Sequence, residues 1–544
     1  MSHILNKEQR HNHAYYRLKE KVIGTWIFTI LLLGISMFSI YIPYSQEIQM
    51  VLAAIVMVFF GVSFYTGAWD QARLGRSNMD TLVALSTSVA FLLSVFNTFF
   101  PEFWYNRGLE PSVYYEVPVV LIAFILTGKL MEKRTGYFPE GQRIDDRIAG
   151  LCIPIVLFLS ALTFFIWIFL GGISVVAHAL LAALSILIIA CPCALGLAIP
   201  MALIAGISKA ADNHVLVKDA IALEQMSKID VVVFDKTGTL TEGHPSVTGW
   251  LWAQAEEEHF KKVLLAAELH SNHPLAKALI QALESEHVCP VQLDGVEDII
   301  GKGIKVAYEG EEYWVGSHKL LKDFRANLSD LLVEMLVEYE SDGNSIVYFG
   351  RENELLAIIA LKDQMKITSV EAVKELRGQD IDICMLTGDG ERTASAVAGS
   401  LGILNFIADA MPEDKEDFIR ELQLQGRTVA MVSDGMSDTQ ALSCADVSVI
   451  MTEDTDVVDE AMVTLKTSDL LLLPKAFRIS HQTVSLMNKN LFWAFIYNII
   501  AIPVAAGLLF PVYGLSLTPL LVNAVMALSC LSVMLNSLRL PSNH

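Results

Sequence analysis

The chain alternates between long apolar runs and one polar middle section. Runs long enough to cross a bilayer lie at roughly 22–44, 49–69, 80–99, 115–132, 148–171 and 178–207, with two more at roughly 489–510 and 514–536. Basic residues mark alternate gaps: Arg73 and Arg76 after the second run, Lys129, Lys133 and Arg134 closing the fourth, Lys209 after the sixth and Arg539 after the eighth. The opposite gaps hold little Lys or Arg beyond Arg107. The positive-inside rule then predicts eight spans with both termini in the cytosol. Residues 1–21, with Lys7, Arg10, Arg17, Lys19 and Lys21, read as a cytosolic tail and not as a cleavable leader.

Between the sixth and seventh runs, over roughly 212–480, the period changes. Residues 231–234, 381–386 and 428–432 read as buried strands, each followed by a polar turn and a helical pattern. That alternation predicts a parallel sheet with right-handed crossovers. Residues 244–348 interrupt it and read as a separate α+β lobe. The expected organisation is a tail (1–21), four transmembrane helices (22–134), a short linker (135–147) and two more helices (148–211). A split α/β domain (212–243 and 349–480) follows, with the inserted lobe (244–348) and the last two helices (481–544).

Composition agrees. Of 544 residues 53% are hydrophobic, and the mean hydropathy of +0.46 is too high for a purely soluble chain. The formal net charge is −21, and because the apolar runs carry almost no charge the acidity belongs to the middle section. An acidic soluble part argues against nucleic acid as a partner. The seven cysteines, Cys152, Cys191, Cys193, Cys289, Cys384, Cys444 and Cys530, form no CxxC pair, which fits reduced thiols better than a disulfide framework.

Candidate chemistry concentrates at Val231-Val232-Val233-Phe234-Asp235-Lys236-Thr237-Gly238-Thr239-Leu240-Thr241. An aspartate at the carboxyl end of a buried strand sits where open α/β sheets place their reactive groups. Its carboxylate can attack a phosphoryl group and hold it as an acyl phosphate, with Lys236, Thr237 and the loop N–H groups on the phosphate oxygens. The run DKTGTLT resembles the phosphorylation loop of P-type ATPases, and three further runs follow in that family's order. The resemblance implies that Thr387, Gly388 and Asp389 contact nucleotide and this loop, and that Lys415, in MPEDK, neutralises the acyl phosphate. Asp434 and Asp438, in VSDGMSD, would hold Mg²⁺ against Asp235. The family's GDGxNDxPAL reads Ser433-Asp434-Gly435-Met436-Ser437-Asp438-Thr439-Gln440-Ala441-Leu442 here, so both carboxylates survive while a Gly, the Asn and the Pro do not.

In the inserted lobe, Ser271-Asn272-His273-Pro274-Leu275-Ala276 and Gly301-Lys302-Gly303 resemble the nucleotide pocket of heavy-metal ATPases. The resemblance implies adenine contacts from Glu268, His273, Gly301 and Gly303. In the sixth span, Pro192 of Cys191-Pro192-Cys193 lacks an N–H, so the helix should open there with a thiol on each side. Thiolates favour soft ions such as Cu(I) and also take Zn(II). A divalent ion would usually recruit another acid, yet residues 491–536 contain no Asp, Glu, Lys or Arg. Tyr497-Asn498 and Met526-Ala527-Leu528-Ser529 resemble the copper branch's YN and MxxSS elements, with Cys530 in place of the second Ser. The implied ligands for Cu(I) are Cys191, Cys193, Tyr497, Asn498, Met526 and Ser529.

The resemblance identifies a polytopic α-helical membrane protein of about eight spans. It would carry a cytosolic α/β haloacid-dehalogenase-like phosphorylation domain and an inserted α+β nucleotide-binding domain, and drive copper(I) transport with ATP and Mg²⁺. One part is absent. Between the fourth and fifth spans the family carries an actuator domain with a TGE triplet; here only residues 132–147 fill the gap, and no TGE occurs anywhere. The position two after Asp235 is Thr237, where many phosphatases on this sheet place a general acid. The acyl phosphate is therefore expected to form and to persist, with turnover impaired. With no CxxC domain, metal delivery would fall to other routes, a cytosolic copper chaperone among them. The expected location is a bacterial plasma membrane. Two alternatives stay open: a membrane metal-binding or regulatory relic, and a membrane-tethered phosphatase.

Overall fold

The computed structural model describes residues 2–37, 43–107, 111–134, 144–172, 175–190, 194–253, 257–271, 273–326, 330–435, 438–452, 461–510 and 519–539. Cys191, Cys193, Ser437 and most of the 135–147 linker lie outside them. The chain divides into two compact units. One comprises Met1–Ser208, Asp219–Ile221 and His481–His544; the other comprises Lys209–Lys218 and Ala222–Ser480.

The first unit is helical. Its elements are Ser2–Met37, Ser45–Ile55 continued by a wide turn at Val56–Phe60, Val62–Arg73, Met79–Phe99, the short Glu102–Tyr105, Glu116–Arg134, Ile144–Gly171, Val176–Ile189 and Pro519–Ser537, with the larger parts of Leu195–Asp212 and Leu472–Ala505, which continue into the second unit. Met79–Phe99 starts at a capping box: Thr81 N–H donates to Asn78 Oδ1 at 3.0 Å, and Asn78 N–H to Thr81 Oγ1 at 3.3 Å. Glu116–Arg134 packs on Ser2–Met37, where Trp26 Nε1 donates to Thr127 Oγ1 at 2.9 Å. It also meets the start of Leu195–Asp212 at a point where only glycine fits: a β-carbon on Gly128 would lie 2.1 Å from Gly196 O. Pro200, having no N–H, leaves that carbonyl without its helical donor.

Among the described residues, three helices are long and apolar enough to cross a membrane, Met79–Phe99, Gly150–Gly171 and Leu195–Asp212, or four if Ser45–Phe60 and Val62–Arg73, bent by 61°, count as one. The sequence pattern gives eight. The difference has visible causes. Val176–Ile189 is only 14 residues long, because the expected sixth run is split: one helix stops at Ile189 and the next starts at Leu195. Leu472–Ala505 begins among the soluble residues.

The second unit holds two sheets. The first runs Val215–Val217, Val463–Leu465, Val447–Met451, Val429–Ser433, Val231–Asp235, Asp382–Leu386 and Asn405–Ile407, parallel throughout except for the first pair. The continuous Val-rich runs are buried on both faces, as a helix-covered parallel sheet requires, and each such side chain contributes roughly 1.5–3 kcal/mol. The second sheet is antiparallel, in the order Ser246–Trp252, Glu354–Lys362, Ser345–Arg351, Glu311–Gly316, Gly303–Tyr308 and Gly295–Ile299. Its strands continue to Lys362, so the lobe boundary expected at 348 falls inside a strand pair.

Candidate active site

Chemistry gathers at the carboxyl ends of three adjacent parallel strands. Asp235 ends the central one, Thr387-Gly388-Asp389 follows Asp382–Leu386, and Asp434 follows Val429–Ser433. The loop after Asp235 turns at Gly238, whose φ of 74° lies in the left-handed region that favours glycine. A β-carbon there would stand 2.8 Å from Asp434 Oδ2. Glycine thus makes the turn and admits the carboxylate.

Two lysines divide the acids between them. Lys415 Nζ donates to Asp235 Oδ1 at 2.6 Å and to Asp438 Oδ1 at 2.7 Å, all three side chains being buried. Lys236, the residue after Asp235, instead turns its ammonium to Asp389 and to Ser345 Oγ, 3.2 Å away. Burial pushes the Asp235 carboxyl up to about 7; Lys415 opposes this, while Asp438 and Asp434 reinforce it. Burial also works against the Asp389 anion, but Lys236 outweighs it, helped by the Ser345 and Thr387 hydroxyls, and Asp389 lies below its ordinary value. Burial alone would lower Lys415; its two carboxylates hold it above the usual lysine range.

Mg²⁺ fits this cluster by charge and by an unfilled valence. Lys415 pairs with Asp235 and Asp438, Asp434 lies against Gly238 of the same loop, and Asp438 Oδ2 is buried without a hydrogen-bond partner. Among the described residues no three His, Cys, Asp or Glu side chains are set at metal-ligand geometry, as expected where an ammonium bridges two of the three acids.

Behind the loop lies a brace that the sequence reading did not assign. Lys366 Nζ donates to Gly238 O at 2.9 Å and Ser369 Oγ to Leu240 O at 2.8 Å. Asp363 accepts from Thr241 Oγ1 at 2.5 Å and from Gly243 N–H at 3.1 Å. Burial pulls Lys366 below its usual value. The available signal was positional: Asp363 and Lys366 follow a strongly apolar strand, the placement that singled out Asp235.

In the second sheet's lobe, Glu268 closes the helix Glu257–Glu268, and its buried carboxyl is pushed up to about 7 by desolvation. His273 caps Pro274–Ser285, its Nδ1 accepting from Leu275 N–H at 3.2 Å, so Nδ1 carries no proton. Gly301 and Gly303 flank the turn between Gly295–Ile299 and Gly303–Tyr308. At Gly303, φ is 144° and a β-carbon would meet Val315 O at 2.1 Å. Gly301 faces Met411, whose Cε would be 2.3 Å from a β-carbon there.

In the helical unit Cys191 and Cys193 lie outside the described residues. The Tyr497 hydroxyl bonds Ser532 Oγ at 2.7 Å, tying the last two helices together. Met526, Ser529 and Cys530 are all buried on Pro519–Ser537, while Asn498 is half-buried. Two acids that the sequence reading left unassigned, Glu116 and Glu132, are buried in Glu116–Arg134.

A family model described as haloacid dehalogenase-like hydrolase matches residues 229–446, the parallel sheet and its surroundings. The chain is 41% identical over 400 residues to a copper-exporting P-type ATPase of Legionella pneumophila, covering 73% of this chain and 54% of the relative. It is 32% identical over 632 residues to a copper-exporting P-type ATPase of Staphylococcus saprophyticus, covering 94% of this chain and 78% of the relative. The chain belongs to the P-type ATPases. Its fold is that of a zinc-transporting PIB-type ATPase solved in the E2.Pi state, with a TM-score of 0.71 at 20% identity, over 96% of this chain and 99% of that one. The chain nonetheless spans about half the length of the Legionella relative. The Staphylococcus alignment runs over 632 positions but uses 94% of 544 residues, about 511, so roughly 120 positions of that P-type ATPase have no counterpart here.

Proposed function

We propose that this P-type ATPase binds Cu(I) in the membrane and couples its transport to phosphorylation of Asp235 by ATP. The observation that carries this reading is Lys415 bridging Asp235 and Asp438, with Asp434 against the phosphorylation loop. An Asp235 carboxylate oxygen attacks the γ-phosphorus, the bond to the bridging oxygen breaks, and ADP leaves. Mg²⁺, held by Asp235, Asp434 and Asp438, would supply charge for the phosphoryl oxygens. Lys415 would follow the charge onto the acyl phosphate, with Lys236 and Thr237 beside it. Thr387, Gly388 and Asp389 would line the nucleotide's phosphate end, and Glu268, His273, Gly301 and Gly303 its adenine end.

The proposed Cu(I) ligands are Cys191, Cys193, Tyr497, Asn498, Met526 and Ser529, with Glu116 and Glu132 on the ion's path. Eight spans in a bacterial plasma membrane, both termini cytosolic, would present the entrance to cytosolic copper, delivered by a chaperone. Relatives named copper exporters support copper as the cargo.

A second reading rests on the unmatched 120 or so positions of the Staphylococcus alignment. A chain without an actuator, and with Thr237 in place of a general acid, forms acyl phosphate and does not hydrolyse it, and so serves as a metal-responsive membrane protein. One experiment separates the two. Purified protein is incubated with γ-labelled ATP and Mg²⁺, with and without Cu(I), then acid-quenched and chased, with Asp235→Asn as control. Copper-dependent label that chases away supports the pump, and label that persists supports the stalled form. Absence of label under every condition sinks both.

A further inference from the structure

The helices that enter and leave the phosphorylation domain meet at one side chain. Leu195–Asp212 follows Cys191-Pro192-Cys193 in sequence and continues into the second unit; Leu472–Ala505 returns from it. Asn490, on the returning helix, is fully buried. Its Nδ2 donates to Ala198 O, in the first turn of Leu195–Asp212, at 2.9 Å, and to Ser537 Oγ, at the end of the last helix, at 2.8 Å. Its Oδ1 accepts from Asn536 Nδ2 at 2.7 Å, and Ser537 Oγ donates to Val533 O at 2.9 Å.

Packing does not require such a group. A leucine has nearly the same volume and no polar atoms to satisfy, whereas a buried amide is tolerated only when its donors and acceptor are all matched. Here all are matched, across three helices. The carbonyl chosen is also informative. Ala198 sits between Gly196, whose carbonyl lacks its helical donor, and Pro200, which causes that loss. This turn lacks one helical hydrogen bond, and Leu195 follows Cys193 by two residues in sequence. A clamp there ties the first turn of Leu195–Asp212 to the helix Leu472–Ala505.

Resting on the transport reading above, we propose that Asn490 is a positioning residue that transmits metal occupancy at Cys191 and Cys193 to the helix Leu472–Ala505 and so to the phosphorylation domain. Coupling between sites needs a contiguous, discretely arranged set of contacts. The Ala198–Asn490–Ser537 chain is one, and it joins the two helices that continue into the soluble unit.

The test uses the full chain in detergent, in wild-type, Asn490→Leu, Asn536→Ala and Ser537→Ala forms. The first readout is amide hydrogen exchange over 472–490 before and after Cu(I), with no nucleotide; the second is the ratio of Cu(I)-stimulated to basal Asp235 labelling. Asn490→Leu should bind Cu(I) and ATP as wild type does, lose the Cu(I)-induced exchange change, and lower the labelling ratio about tenfold. Asn536→Ala leaves both Nδ2 donations intact but takes the donor from Asn490 Oδ1, so it should lower thermal stability while keeping both Cu(I) responses near wild type. An Asn490→Leu protein with unchanged responses overturns the clamp. So does one that loses metal binding and thermal stability together, since that is a structural role only. Should Asn490→Leu fail to accumulate, Ser537→Ala decides: an unchanged response overturns the proposal. A wild type that never labels with ATP sinks the transport reading, and the exchange measurement still judges the clamp.

Discussion

The Lys415 ammonium lies 2.6 Å from one carboxylate oxygen of Asp235, although 180 residues separate the two in sequence. The same ammonium reaches Asp438 at 2.7 Å. A cation thus already stands where a phosphoryl group would bring charge to Asp235, and it shields two acids that would otherwise repel each other in a buried site. Burial nonetheless pushes the Asp235 carboxyl up to about 7, against the pull of Lys415.

Replacing Lys415 with methionine removes that cation and leaves buried acids unpaired. Breaking a buried pair from one side typically costs about 3–5 kcal/mol, lessened here as Asp235 takes up a proton. The expected outcome is a lower melting temperature, most marked above pH 7 where the acids must ionise, and loss of Asp235 labelling by at least about a hundredfold, the scale of a lost electrostatic stabiliser. Acid-quench labelling and thermal melts across pH check both.

Labelling should itself depend on pH with a definite sign. Only the carboxylate attacks phosphorus, and a carboxyl raised to about 7 is increasingly protonated below that pH, so labelling falls as pH drops through 7. Mg²⁺ favours the anion, so raising its concentration moves this limb to lower pH. Asp438→Asn removes a charge that raises the Asp235 value and also moves the limb to lower pH, while increasing the Mg²⁺ needed for half-maximal labelling. A limb indifferent to Mg²⁺ would show that the ion does not bind beside Asp235.

How much of this was legible beforehand follows from distance along the chain. Asp235 could be found because one strand and its turn carry the whole signal. The parallel sheet could be found because buried Val-rich runs alternate with helices. Lys415, Asp434 and Asp438 came from family resemblance, since no local pattern says that a helix residue 180 positions away meets that strand. Asp363 and Lys366 escaped because they hold the loop through its backbone, which leaves no motif of its own. That the antiparallel sheet runs past 348 to Lys362 was not legible, for a physical reason. The strand Glu354–Lys362 buries Leu356 and Ile359 in one cluster and Leu355 and Ile358 in another, so an antiparallel strand covered on both faces reads like part of the parallel sheet.

At Gly303 a side chain has no room. With φ at 144° and the β-carbon position 2.1 Å from a backbone carbonyl, Gly303→Val must distort the turn joining two strands. A strained backbone position of this kind costs about 1–3 kcal/mol before any clash is counted. Nucleotide affinity, read by fluorescence of a labelled ATP analogue, should fall by about tenfold or more, while Cu(I) stoichiometry in the helical unit stays the same. Loss of both together would point to global unfolding and not to the pocket.

Glu268 offers the cleanest stability test, because desolvation alone raises its carboxyl to about 7, from an ordinary value near 4.5 in the unfolded chain. The folded state therefore holds this proton more tightly than the unfolded one. Stability linked to it is fully present below about pH 4.5 and is lost as pH rises towards 7, reaching a ceiling of about 3 kcal/mol above that. Glu268→Gln keeps the shape, removes the ionisation and should abolish that loss. The variant should melt close to wild type near pH 5 and above it near pH 8, provided the amide finds partners as good as the neutral acid's. If Glu268 contacts adenine as the nucleotide reading holds, ATP affinity in wild type should change across pH 7 and become flat in the variant. A wild-type and variant pair with parallel melting curves from pH 5 to 8 would mean that Glu268 is ionised throughout and paired with a cation.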